Sequence, residues 1–204
     1  MLETRPYTTV ERGWLSLLAV STLVFSWLGM QVGHELGHVL HAKWSGGTVV
    51  RVVLHPLEIS RTDVHPNPHP QFVAWGGPVW GCLIPLAGGL LLFALGLNSA
   101  HFGRFFAGFC FLANGAYIGA GVFLPVGDAE DLLRHGAPVW SLGAFGIIAL
   151  LAAAYSFNGW SFWNLFRQKS SGHGDLATRR GALTMTALAA IVIVLELAFY
   201  QTTP

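Results

Sequence analysis

His34-Glu35-Leu36-Gly37-His38 is an H-E-x-x-H sequence closing a long apolar stretch. Residues four apart stand on one face of an α-helix, so the two imidazoles can reach one ion at a Zn–N distance of about 2.0–2.1 Å. The glutamate beside the first histidine is then placed to take a proton from water, and zinc in such a site lowers the pKa of a bound water to about 7. These residues point to hydrolysis at a zinc centre, with His34 and His38 as metal ligands and Glu35 as general base.

A catalytic zinc needs a third protein ligand and one open position. Residues 123–136, "FLPVGDAEDLLRHG", offer Asp128, Glu130, Asp131 and His135. Glu130 and Asp131 read as the solvated start of a loop, and Asp128 as the ligand. The reason is topological: the first and third apolar helices run in the same direction, so their C-terminal ends, with the histidines and Asp128, emerge on the same side. Closing a metal site between helices of a bundle is then geometrically easy.

The elements that must position these residues are membrane helices. The chain has 204 residues, 53% hydrophobic and only 10% charged, where soluble domains carry roughly 25% charged residues. Spanning a bilayer takes about 20 apolar residues. Such runs occur at Gly13–Gly33, Phe72–Leu97, Phe105–Gly127 and Pro138–Phe157, with a shorter one at Gly181–Leu195 that Leu197–Tyr200 can extend past Glu196. They are continuous rather than alternating, which excludes a β-barrel. The expected fold is all-α: a polytopic transmembrane bundle of about five helices. It forms one integral-membrane domain over 1–204, with a core at 13–135 and additional helices at 138–204. The first helix is predicted from about Gly13 to Trp44, stopped by Gly46-Gly47. A cleaved leader is not expected, because the apolar run is longer than the usual 7–15 residues and Glu3 and Glu11 precede it.

After the first helix, "TVVRVVLHPLEIS" is β-branched and predicts a strand, half of a small hairpin; residues 48–54 of it could pair with an extended substrate chain. The net charge of +1 and the lack of a basic patch give no reason to expect nucleic acid. Cys82 and Cys110 fall inside spanning segments and read as buried free thiols. With the N-terminus on the cytoplasmic side, seven Lys and Arg residues fall inside and four outside, so the positive-inside rule favours that orientation.

HELGH at the end of a spanning helix, the Gly-Pro segment "GGPVWG" at 76–81 and an Asp after a Pro at the end of a later helix together resemble the site-2 protease family of intramembrane zinc metalloproteases, peptidase family M50, in its M50B-like branch. The resemblance covers about Ser16 to Leu133. It implies His34, His38 and Asp128 as Zn2+ ligands, Glu35 as the catalytic residue, and a membrane protein or peptide as substrate. The family pattern has Asn and a further Pro upstream of the Asp and Gly after it, where this chain has Ala120, Phe123 and Ala129.

Other residues read more plainly. His41 is on the same helical face, but about 10 Å along the axis from His34, and reads as an interfacial or supporting polar group. His55, His65 and His69 read as a solvated loop. Asn114 and Tyr117 either hydrogen-bond a substrate backbone or pack between helices, Glu196 lies near the far interface, and the Trp and Phe residues at 160–166 form an interfacial belt. Two rival functions remain at this level: a membrane metal-binding or transport protein using its loop histidines, and a non-catalytic scaffold of the same family.

Overall fold

A computed structural model of the protein describes residues 8–57, 59–97, 99–158 and 173–202. The expected aromatic belt at 160–166 lies outside the described residues. Among those described there are six helices and one two-stranded sheet.

Helix α1, Thr9–Trp44, is an unbroken 36-residue helix. At about 1.5 Å per residue it is some 54 Å long, well beyond a hydrocarbon core of about 30 Å. It begins four residues before the apolar run because Thr8 and Glu11 form a capping box: the Glu11 amide donates to Thr8 Oγ1 (3.2 Å) and the Thr8 amide to Glu11 Oε2 (2.6 Å). It ends where expected, at Ser45, before Gly46 with φ +77°.

The strand expected after it is β1, Val49–Val53. It pairs antiparallel with β2, Arg61–Val64, in the register Val53 to Arg61, Val52 to Thr62 and Arg51 to Asp63. Helix α2 (Pro70–Ala94), α3 (Ala100–Ala120), the short α4 (Asp128–Arg134), α5 (Val139–Phe157) and α6 (His173–Thr202) follow.

The long helices lie side by side in the order α6, α1, α2, α3, α5. Small residues bring the inner ones into backbone contact, the usual route to close packing without a hydrophobic drive. A Cβ on Gly37 of α1 would lie 2.7 Å from the carbonyl carbon of Gly76, and one on Gly76 of α2 would lie 2.5 Å from Gly37 O. Gly119 of α3 and Gly146 of α5 meet in the same way, a Cβ on Gly146 falling 2.7 Å from Gly119 Cα. Arg104 of α3 also ties down the end of α5, donating to Ser156 O at 2.9 Å and Tyr155 O at 3.0 Å.

Among the described residues four helices are long and apolar enough to cross a membrane: α1, α2, α5 and Thr178–Ala198 of α6. Their outward faces carry Leu17, Val20, Leu23, Leu90, Leu91, Ile147, Ile148, Leu151, Ile191 and Val194 exposed, the pattern of a chain whose solvent is lipid. The expected all-α membrane bundle is therefore observed, with one adjustment. The span expected at Phe105–Gly127 is α3, which ends at Ala120 and is not among the four. It is packed between α2 and α5, and carries polar and small residues such as Asn114, Gly115 and Gly119 on the faces they cover.

A buried cluster of Ala74, Ile118, Ala129, Leu132, Ala137 and Leu142 joins α2, α3, α4 and α5. Ala129 and Leu132 are fully buried in it, and burying a leucine side chain contributes about 1.5–3 kcal/mol. This anchors α4, and with it Asp128, against the bundle.

Candidate metal centre

His34 and His38 stand one turn apart on α1, their ring centroids 4.9 Å apart. Each ring is fixed through Nδ1. His38 Nδ1–H donates to the Val73 carbonyl of α2 at 2.8 Å. His34 Nδ1 lies 2.7 Å from Asn114 Oδ1. Asn114 Nδ2 donates to Cys110 O at 2.9 Å, which leaves Oδ1 as the acceptor and puts the His34 proton on Nδ1. With a metal between them both Nε2 atoms can therefore present lone pairs, whereas in its absence a proton on Nε2 lets the rings donate to Asp128.

Those lone pairs converge. The two Nε2 atoms are 3.1 Å apart, and Asp128 places Oδ2 at 2.8 Å from His34 Nε2 and Oδ1 at 3.3 Å from His38 Nε2. Three acceptor atoms so close together repel unless a cation or a proton sits among them. Tetrahedral donors at about 2.0–2.1 Å from zinc stand about 3.3 Å from one another, close to the separations here. This is the one group of three or more potential metal-ligating side chains among the described residues. Asp128 is mostly buried, which by itself would push its carboxyl pKa up. The hydrogen bonds and charges of His34 and His38 more than reverse this and hold it below the usual carboxylate range.

The space in front of the imidazoles is kept open by a glycine. A Cβ on Gly77 of α2 would lie 2.5 Å from His34 Nε2 and closer still to His38 Nε2. A side chain there would fill the volume that a shared ion requires. The donor set and this cleared volume both fit a divalent metal such as zinc, with His34, His38 and Asp128 as the residues able to hold it.

Asp128 is aimed from the other side by a strained turn. Gly127, with φ +56°, precedes it, a conformation that favours glycine. The Asp128 amide donates to the Tyr117 hydroxyl at 2.8 Å, and a Cβ on Gly127 would collide with that hydroxyl.

Glu35 is 2% exposed and accepts a hydrogen bond from Thr62 Oγ1 of β2 at 2.6 Å. It lines a cavity of about 950 Å3 together with His34, His38 and Asp128. β2 borders it too, with every residue from Ile59 to His65 in its lining. A strand seen face-on would offer only alternate residues, so β2 turns its edge toward the cavity. The strand nearest the cavity is thus β2, whereas Thr48–Leu54 is the stretch the sequence suggests.

The remaining candidates fall where their chemistry allows. His41 is held apart from the cluster: it stacks on Phe72 with centroids 4.0 Å apart, its Nδ1–H donates to Phe72 O at 2.6 Å, and Trp80 Nε1–H donates to its Nε2 at 3.0 Å. Glu130 and Asp131 pair with Arg134 near the surface. His65 borders the cavity, while His55 lies against Tyr200. Cys82 and Cys110 are free and buried. Glu196 is buried at 2% exposed, and Tyr200, one turn beyond it, packs against His55. It therefore lies toward the same end of the bundle as the site, because α6 runs parallel to α1 with Ala182 and Met185 beside Leu18.

Reading the sequence alone misses three supports: Val73 O, Thr62 and the use of Asn114 to orient His34. Only Asn114 leaves a signal, a polar amide within an apolar helix. Comparisons with protein families, with curated proteins and with solved structures found no match to this chain.

Proposed function

We propose that the protein is a membrane-embedded zinc metallopeptidase of the site-2 protease type, which hydrolyses peptide bonds of membrane proteins in or near the bilayer. One observation carries the reading: two lone-pair imidazoles and a carboxylate converge beside a buried glutamate and an open cavity. His34, His38 and Asp128 would hold zinc there, and it would supply Lewis acidity to the scissile carbonyl and to an attacking water.

The chain's own residues do the rest. Glu35 takes a proton from the attacking water as the new C–O bond forms, then passes it to the amide nitrogen as the C–N bond breaks. Its Oε2 is held by Thr62, which leaves Oε1 to face the water. Tyr117 keeps its own hydroxyl proton after accepting from Asp128 N, so it can donate to the developing oxyanion. A helical substrate hides its carbonyls in its own hydrogen bonds, so it must be extended to react. The cavity-facing edge of β2 supports such a conformation by strand addition.

Glu35→Gln tests the reading. The purified variant, loaded with zinc, keeps one metal per chain by elemental analysis and loses cleavage of a transmembrane peptide. Turnover equal to the parent protein would remove Glu35 as the base. In the rival role of metal carrier, metal flux would depend on His55, His65 and His69 and survive the change.

A further inference from the structure

Gln31 is 3% exposed, and neither its Nε2 nor its Oε1 has a hydrogen-bond partner. Most buried side-chain polar atoms in native proteins are paired, because leaving one unpaired is costly. Gln31 precedes Glu35 by four residues on α1, so it stands on the same face one turn away, and it borders the same cavity. A second amide oxygen on this cavity, Asn67 Oδ1, is also unpartnered.

We infer that the Gln31 carboxamide binds the main chain of the peptide substrate, one turn from the catalytic glutamate; this rests on the peptidase reading above. A carboxamide presents one acceptor oxygen and two N–H donors, which matches the N–H and C=O of one peptide group. Neither a metal ion nor an apolar ligand would satisfy both halves of it. β2 borders the same cavity, so an extended chain lying in it can meet β2 as well as Gln31. The site recognises backbone rather than a particular side chain, and it becomes satisfied only when a strand is present.

The test compares the parent protein with Gln31→Met, which keeps an unbranched side chain of similar length. The probes are a fluorogenic peptide of alternating Ala and Val and a series in which one amide at a time is replaced by an ester. The inference expects cleavage of the all-amide peptide to weaken about tenfold in kcat/KM in Gln31→Met, equivalent to about 1.4 kcal/mol. It also expects one ester position to cost the parent protein a similar factor and to cost Gln31→Met nothing further. Thermal unfolding of the peptide-free variant is unchanged or higher, since an unsatisfied amide has been removed. Equal ester profiles in the two proteins, or a lower unfolding temperature for the variant, overturn the inference. If the parent protein cleaves nothing, fluorescence anisotropy of the same peptides decides. Binding that weakens in Gln31→Met upholds the inference and removes the peptidase reading, and an absence of binding to either protein removes both.

Discussion

Replacing Gly77 by alanine adds one methyl group, and its consequence follows from the geometry. The new Cβ would stand 2.5 Å from His34 Nε2 and nearer to His38 Nε2, whereas real Cβ contacts essentially never fall below 3.0 Å. Metal held by these nitrogens would sit about 2.0–2.1 Å from each, so methyl and metal compete for one volume. Relief by moving α2 away would give up the close backbone packing of Gly76 on Gly37 of α1. The imidazoles retreat instead. Losing a group that merely orients a ligand costs about 10–100-fold in metal affinity; blocking the position itself should cost at least about 100-fold. At a free zinc concentration about 1,000 times the parent dissociation constant, zinc stabilises the parent by about 4.1 kcal/mol, and a hundredfold loss leaves about 1.4 kcal/mol. Zinc-dependent thermal unfolding, with affinity read by chelator competition, measures this directly. Gly88→Ala is the control, since a Cβ there meets nothing within 4 Å, and it keeps the full zinc response. A Gly77→Ala protein with undiminished zinc stabilisation would refute the placement of the ion between these imidazoles.

Two further outcomes follow from the groups around the ligands. Asn114→Ala removes the acceptor that fixes the His34 tautomer, so zinc affinity falls about 10–100-fold while the bundle stays folded, as chelator competition and circular dichroism will show. Because the histidine pair holds the Asp128 carboxyl below its ordinary range, its contribution to the zinc-free fold is present above the unfolded value of about 3.9 and is lost only as pH falls through the lower folded value. The unfolding free-energy gap between the parent protein and Asp128→Asn should therefore not shrink between about pH 7 and 5, and should close below about pH 4; a gap that shrinks between pH 7 and 5 contradicts the pairing.

Local pattern was enough to read much of this protein. Three of the four uncharged runs of spanning length, and the shorter fifth run, become helices long and apolar enough to cross a membrane, since a backbone in lipid must satisfy its own hydrogen bonds. The i, i+4 spacing of His34 and His38 puts two imidazoles on one face whatever surrounds them, and Gly46-Gly47 ends α1 by local backbone preference. Asp128 could be matched to the histidines by counting helix directions, because that argument needs only which ends share a side. What required the tertiary structure was everything set by neighbours distant in sequence. α3 is packed between α2 and α5, and no window of its own sequence names those neighbours. Asn114 meets His34 across 80 residues, and Thr62 reaches Glu35 from the second strand of a hairpin of which only the first strand is legible in the sequence. Gly77 matters for the volume it leaves between two rings on another helix. Periodicity records which side of a helix a residue occupies, while the identity of what it faces is decided by how the helices pack.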